Sequence, residues 1–184
     1  MTTLVARRRA NDNRLTIVGV VGFAAAVAAA SQIAMPLPFT PVPITLQPML
    51  VILAGLMLGP IAGAASMLLY LAAGAAGLPV FTPVGALGIA RLFGPTGGYL
   101  IAYPIAAFVA GSIVTRTSSF IGRSLAALAG VAVIYFGGVT QLAVLGNGYA
   151  QAIRLGVMPF AVFDIAKAFV AAFISRPRAT RPER

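Results

Sequence analysis

The sequence predicts an all-α fold: an integral membrane bundle of six transmembrane helices with the N- and C-termini cytoplasmic. Three observations predict it. Hydrophobic residues fill 60% of the 184 positions and charged residues 9%, whereas a soluble domain carries about 25% charged residues. The apolar residues gather into six runs, at 15–35, 44–58, 61–76, 99–115, 125–145 and 157–175, on the scale of the roughly 20 residues a helix needs to cross the hydrocarbon core. The arginines are unevenly placed. With the N-terminus inside, Arg7, Arg8, Arg9, Arg14, Arg116, Arg123, Arg176, Arg178, Arg181 and Arg184 fall in cytoplasmic segments, and only Arg91 and Arg154 fall in outer ones. Cytoplasmic loops favour positive residues, and a count of five spans would put the C-terminal cluster outside. The chain thus divides into a basic cytoplasmic tail at 1–14, a membrane domain at 15–175 and a second basic cytoplasmic tail at 176–184.

The first run follows basic residues and passes through Ala28-Ala29-Ala30-Ser31, a superficial likeness to a cleavable signal peptide. Its apolar part is too long for one, and its removal would spoil the even number of spans. Ala24/Ala28, Ala25/Ala29 and Ala26/Ala30 form overlapping small-xxx-small pairs that let another helix approach closely, from this bundle or from another subunit. The prolines at 36, 38, 41 and 43 then deny backbone donors and hold an extended, turn-like path. Runs two and three are short and nearly abut at Gly59-Pro60, so one broken hairpin that does not cross fully is the competing interpretation. The longest connection, 77–98, is rich in Gly and Pro but contains Leu78, Val80, Phe81, Leu87, Ile89, Leu92 and Phe93. So apolar a loop is expected to fold back over the outer mouth of the bundle as a lid or plug. Runs four and five follow, and Asn147 and Gln151, before the last run, read as ordinary loop residues.

The sixth run carries the chemistry. It holds Asp164 and Lys167, the only Asp and Lys within the apolar body. At a helix centre each costs roughly 2.5 to 3.5 kcal/mol on an insertion scale, against about 3 to 5 kcal/mol contributed in total by the large apolar residues of the run. Insertion alone disfavours this segment, so the charges must be compensated inside the folded bundle, by each other at i,i+3 or by a polar ligand. On a helical wheel Val157, Ala161, Asp164, Lys167, Ala168, Ala171 and Ser175 share one face, with Val162, Phe169, Val170 and Phe173 opposite. Counting from Val157 at about 1.5 Å per residue, Asp164 lies roughly 10 Å and Lys167 roughly 15 Å below the outer boundary. A carboxylate beside an ammonium offers acceptors and donors together, suited to a small molecule with a urea, amide or carboxylate group. An ion pair that only fixes packing is the structural alternative.

Thr45 and Gln47 at the head of run two, and Arg91 and Tyr99 around Gly94-Pro95-Thr96-Gly97-Gly98, are further polar residues on the outer side. The glycine cluster reads as a tight turn more readily than as a phosphate cradle, and Arg91 divides between partner of a ligand carboxylate and solvated loop charge. With no Cys and no His, there is no disulfide, thiol chemistry or His/Cys metal site. The net charge of +10 sits at membrane flanks without interleaved aromatics, which favours topology and anionic lipid over nucleic acid. The single lysine lacks the glycines and the Ser or Thr of a phosphate-binding loop. Any ATP-driven step must come from another chain.

Taken together, Pro41-Val42-Pro43-Ile44-Thr45-Leu46-Gln47, Leu69-Tyr70-Leu71, Gly77-Leu78-Pro79-Val80-Phe81, Phe93-Gly94-Pro95-Thr96-Gly97-Gly98-Tyr99 and Asp164-Ile165-Ala166-Lys167 resemble the BioY family, the biotin-binding S components of energy-coupling factor (ECF) vitamin transporters. The resemblance runs over nearly the whole chain. It implies a multi-pass protein of the bacterial plasma (inner) membrane that is not an enzyme, needs no cofactor, binds biotin on the outer side and docks on a transmembrane coupling subunit joined to two ATPase subunits. By position it implies ligand contacts at Asp164, Lys167, Gln47, Thr45, Arg91, Tyr99, Phe93 and Tyr70, and a docking face at Ala24 and Ala28 or the neighbouring Ala25 and Ala29. Two other classes stand beside it. A self-sufficient secondary transporter of a small polar metabolite needs a coupling site for which one buried acid is thin support. A membrane enzyme using Asp164 or Lys167 lacks a nucleophile or metal cluster beside them.

Overall fold

The structure, a computed structural model, describes the backbone of residues 2–175 and the side chains of residues 13–146 and 148–175. The tail at 176–184 with its four arginines, and the side chains of Arg7, Arg8 and Arg9, lie outside what is described. The chain is mostly helical: α1 (Thr2–Gln32), strands β1 (Met35–Leu37) and β2 (Thr40–Ile44), α2 (Gln47–Leu58), α3 (Pro60–Ala75), a 3-10 turn (Gly88–Phe93), α4 (Gly97–Val114), α5 (Phe120–Leu142), one π turn (Ala143–Asn147), α6 (Gly148–Gly156) and α7 (Ala161–Ile174).

Among the described residues, three helices are long and apolar enough to cross a membrane, within Asn13–Gln32, Gly97–Val114 and Phe120–Gly146. A fourth span arises if α6 and α7, bent by 56° at their junction, count as one. At about 1.5 Å per residue α2 is about 18 Å long and α3 about 24 Å, short of a hydrocarbon core of about 30 Å. They are two helices nonetheless. Gly59 turns between them at φ 84°, a left-handed conformation that glycine adopts without penalty, and prolines open both helices within their first two residues.

The segment read as extended and turn-like is a β-hairpin, with Met35 opposite Ile44 and Leu37 opposite Thr40. A two-stranded ribbon has only edge strands, which is where proline is tolerated. The last helix begins at Ala161 rather than at Val157, and the stretch before it, expected to be loop, contains α6.

Helix α4 is central and packs against α2, α3 and α5. Small residues make this possible: Ala106, Ala107, Ala110, Ala126 and Ala127 are fully buried, and α2 comes so near α4 that a Cβ on Gly55 would collide with the Ala107 carbonyl. Close backbone approach replaces large side chains as the source of packing contact. Leu15, Ile61, Phe136 and Phe173 point outward and exposed, an apolar exterior suited to lipid.

Candidate functional site

Helix α7 presents the face expected of it. Asp164, Ala168, Ala171, Ala172 and Ser175 are buried, whereas Val162, Phe169, Val170 and Phe173 are exposed. Because α7 starts at Ala161, Asp164 stands in its first turn, where the positive end of the helix dipole favours a carboxylate. Along the axis it lies about 4.5 Å from the first residue of α7.

The pair is compensated on every side. Lys167 Nζ lies 2.9 Å from Asp164 Oδ1, and donates to the Thr45 carbonyl at 2.7 Å. The Tyr135 hydroxyl, from α5, donates to Asp164 Oδ2 at 2.8 Å. An ammonium has three N–H groups and a carboxylate about four acceptor positions. Two of each are used here, so one N–H and two acceptor positions remain for a ligand.

Asp164 and Lys167, with that remaining capacity, line a narrow cleft that is partly open at its mouth. The hairpin and the start of α2 supply Val42, Pro43, Ile44, Thr45, Gln47 and Pro48; the long connection supplies Thr82 and Thr96. Helix α4 adds Tyr99, Leu100 and Tyr103, α5 adds Ile134 and Tyr135, and the final segment adds Phe160, Asp164 and Lys167. Polar groups set among apolar and aromatic walls suit a ligand with a hydrogen-bonding head and an apolar body.

Of the residues the sequence nominated, Asp164, Lys167, Thr45, Gln47 and Tyr99 line this cleft, and Tyr70, Arg91 and Phe93 do not. Tyr70 stands behind it, accepting from Gln47 Nε2 at 2.7 Å with its ring edge-on to Phe81 and stacked with Tyr103. Tyr99 donates to the Gly156 carbonyl at 2.8 Å, tying α4 to the junction of α6 and α7. Arg91 is buried and holds the connection together, donating to the carbonyls of Thr82 and Val84 and to Thr82 Oγ1. Burial lowers its pKa, an effect opposed by the nearby Tyr70. Phe93 is 71% exposed.

Of the apolar residues that suggested a lid, Phe81 is buried and Leu78, Leu87, Ile89 and Phe93 are exposed. Thr82 is buried and Val84 exposed. Ser31 Oγ donates to the Val80 carbonyl, and Gln32 Nε2 to those of Pro79 and Phe81, so the end of α1 pins this connection.

Among the alanines of α1, Ala24 is buried and Ala28 half-buried, whereas Ala25 and Ala29 are exposed. No group of three or more His, Cys, Asp and Glu suited to a metal exists among the described residues. Tyr135, Tyr103, Thr82 and Phe160 were not singled out from the sequence. Like Asp164, the hydroxyls of Tyr103 and Tyr135 are polar groups inside apolar runs, but a neutral hydroxyl is a weaker signal than a charge.

Comparison with known proteins now bears on this cleft. The BioY family profile matches residues 4–183. The chain belongs to the BioY family. Similar to it are a probable biotin transporter BioY of Pyrococcus horikoshii, 45% identical over 73% of this chain and 79% of that one, and the biotin transporter BioY of Thermotoga maritima, 38% identical over 76% and 82%. The BioY protein of Rhodobacter capsulatus is 35% identical over 90% and 92%. A crystal structure at 2.1 Å of the S-component for biotin from an ECF-type ABC transporter superposes with a TM-score of 0.82 at 30% identity, covering 90% of this chain and 91% of that one. Membership in this transporter family, with its apolar helices, makes the chain a membrane protein and speaks against an enzyme.

Proposed function

We propose that this chain is the substrate-capture component of an ECF-type biotin transporter and that the cleft over Asp164 and Lys167 is where biotin binds. The observation that carries the site is the charged pair itself, held at the wall of a cleft with spare hydrogen-bonding capacity. Biotin offers a ureido ring with two N–H donors and a carbonyl acceptor, and a carboxylate tail. Asp164 accepts from the ring N–H groups and Lys167 donates its third N–H to the ring carbonyl. Thr45, Gln47, Tyr99, Tyr103 and Tyr135 complete the polar lining, while Arg91 acts through Thr82 and Tyr70 through Gln47.

In the same proposal the bundle crosses the plasma membrane six times, α2 and α3 as short spans and α6–α7 as a bent one, with both basic tails cytoplasmic and the cleft opening outward. The cation asymmetry of the loops supports this orientation. Transport needs a transmembrane coupling subunit and two ATPase subunits, contacted through the exposed small residues Ala25 and Ala29. Titration of purified protein with biotin tests the binding. Saturable binding that Asp164→Asn weakens at least about a hundredfold is expected, and no saturable binding by folded wild-type protein counts against the proposal.

A further inference from the structure

Arg123, at the start of α5, is withdrawn from solvent, 8% exposed, whereas Arg116 across the same connection is exposed. A residue placed only to mark a cytoplasmic flank has no reason to be buried, since its charge acts from the headgroup water. Its position is locally unfavourable as well. It stands in the first turn of α5, where the helix dipole opposes a cation.

What compensates it belongs to α7. Arg123 Nε donates to the Ala172 carbonyl at 3.1 Å and Nη1 to the Ser118 carbonyl at 2.7 Å. Ala172 lies in the last turn of α7, where carbonyls lack a backbone donor from their own helix and the dipole favours a cation; Ser175 Oγ donates to the same carbonyl at 3.0 Å. A single planar guanidinium thus joins the α4–α5 connection to the far end of the helix that carries Asp164 and Lys167. The same two helices are joined again at the cleft, by Tyr135 and Asp164, about 12 Å along α7 from Ala172. A helix held by polar ties at both ends has its rotation and axial position fixed. A slip of one residue would turn Asp164 by about 100° away from Tyr135 and Thr45.

We infer that Arg123 is a positioning residue for the ligand site: by tying the end of α7 to the α4–α5 connection, it sets the placement of Asp164 and Lys167 at the opposite end. The inference rests on the assignment of the cleft as the biotin site. It makes the exposed connection, Thr115 to Ser119, a place from which contact is transmitted to the ligand.

The test uses full-length protein in lipid nanodiscs, spin-labelled through Leu125→Cys on α5 and Phe173→Cys on α7, both exposed positions in a chain without native cysteine. Arg123→Gln should weaken biotin binding about tenfold or more and shift or broaden the distance between the labels. Arg123→Lys, which keeps the charge but not the planar fork, should show both effects to a smaller degree, and saturating biotin should return its distances toward wild type, as linkage requires. A folded Arg123→Gln with unchanged distances, or with affinity within about twofold of wild type, overturns the inference; if that variant does not fold, the same two results in Arg123→Lys overturn it. Failure of the site assignment is distinguishable. It shows as biotin binding that is absent from the wild type or unaffected by Asp164→Asn, and the label distances alone then decide the tie.

Discussion

Asp164 and Lys167 are tolerable in an apolar bundle because each is neutralised by the other and then hydrogen-bonded again, by Tyr135 and by the Thr45 carbonyl. Breaking such a pair leaves an uncompensated charge, which costs about 3 to 5 kcal/mol. Where ligand affinity carries that cost, it amounts to two to four decades at about 1.4 kcal/mol per decade. Asp164→Asn and Lys167→Met are each expected to weaken biotin binding at least about a hundredfold, measured by titration calorimetry. Tyr135→Phe removes one hydrogen bond to a charged acceptor, about 1.5 kcal/mol or more; it should reduce affinity about tenfold and leave the fold intact. The pair was legible in the sequence because insertion energetics single out a charge. Tyr135 was not, since a neutral tyrosine is common in any core, and only the fold brings residue 135 beside residue 164. Arg91 read from the sequence as either partner of a ligand carboxylate or solvated loop charge, and its bonds to Thr82 and Val84 make it a brace within the connection.

At the level of elements, hydropathy located the helices well and their ends less well. The final run begins at Val157 by apolarity, yet Pro159 disfavours helix in the residue before it, and α7 starts at Ala161. Alternating prolines read as an extended path, but pairing of 35–37 with 40–44 depends on a register that composition does not contain. The alanines of α1 divide once their faces are known. Ala24→Trp should destabilise the isolated protein, lowering its melting temperature in detergent, because that side chain is buried. Ala29→Trp, on the exposed face, should leave melting and biotin binding unchanged while abolishing co-purification with a coupling subunit. Equal destabilisation by both would assign the whole track to packing.

At the level of the molecule, the sequence made a mostly helical membrane bundle legible through composition and run length. Crossing number was harder to read, because α2 and α3 are shorter than a bilayer core and α6–α7 is bent. In the six-span arrangement, single cysteines at Ser119 and at the exposed Leu87 should react with an impermeant reagent from opposite sides, Ser119 only from the cytoplasm. Labelling of both from one side would remove that arrangement. One titration separates a ligand role of Asp164 and Lys167 from a role in merely holding the bundle together. The double variant Asp164→Leu with Lys167→Met removes both charges from an apolar helix, so it should remain folded. Biotin titrated into that folded protein should give no saturable binding, whereas wild-type affinity in the double variant would make the pair structural and contradict the account.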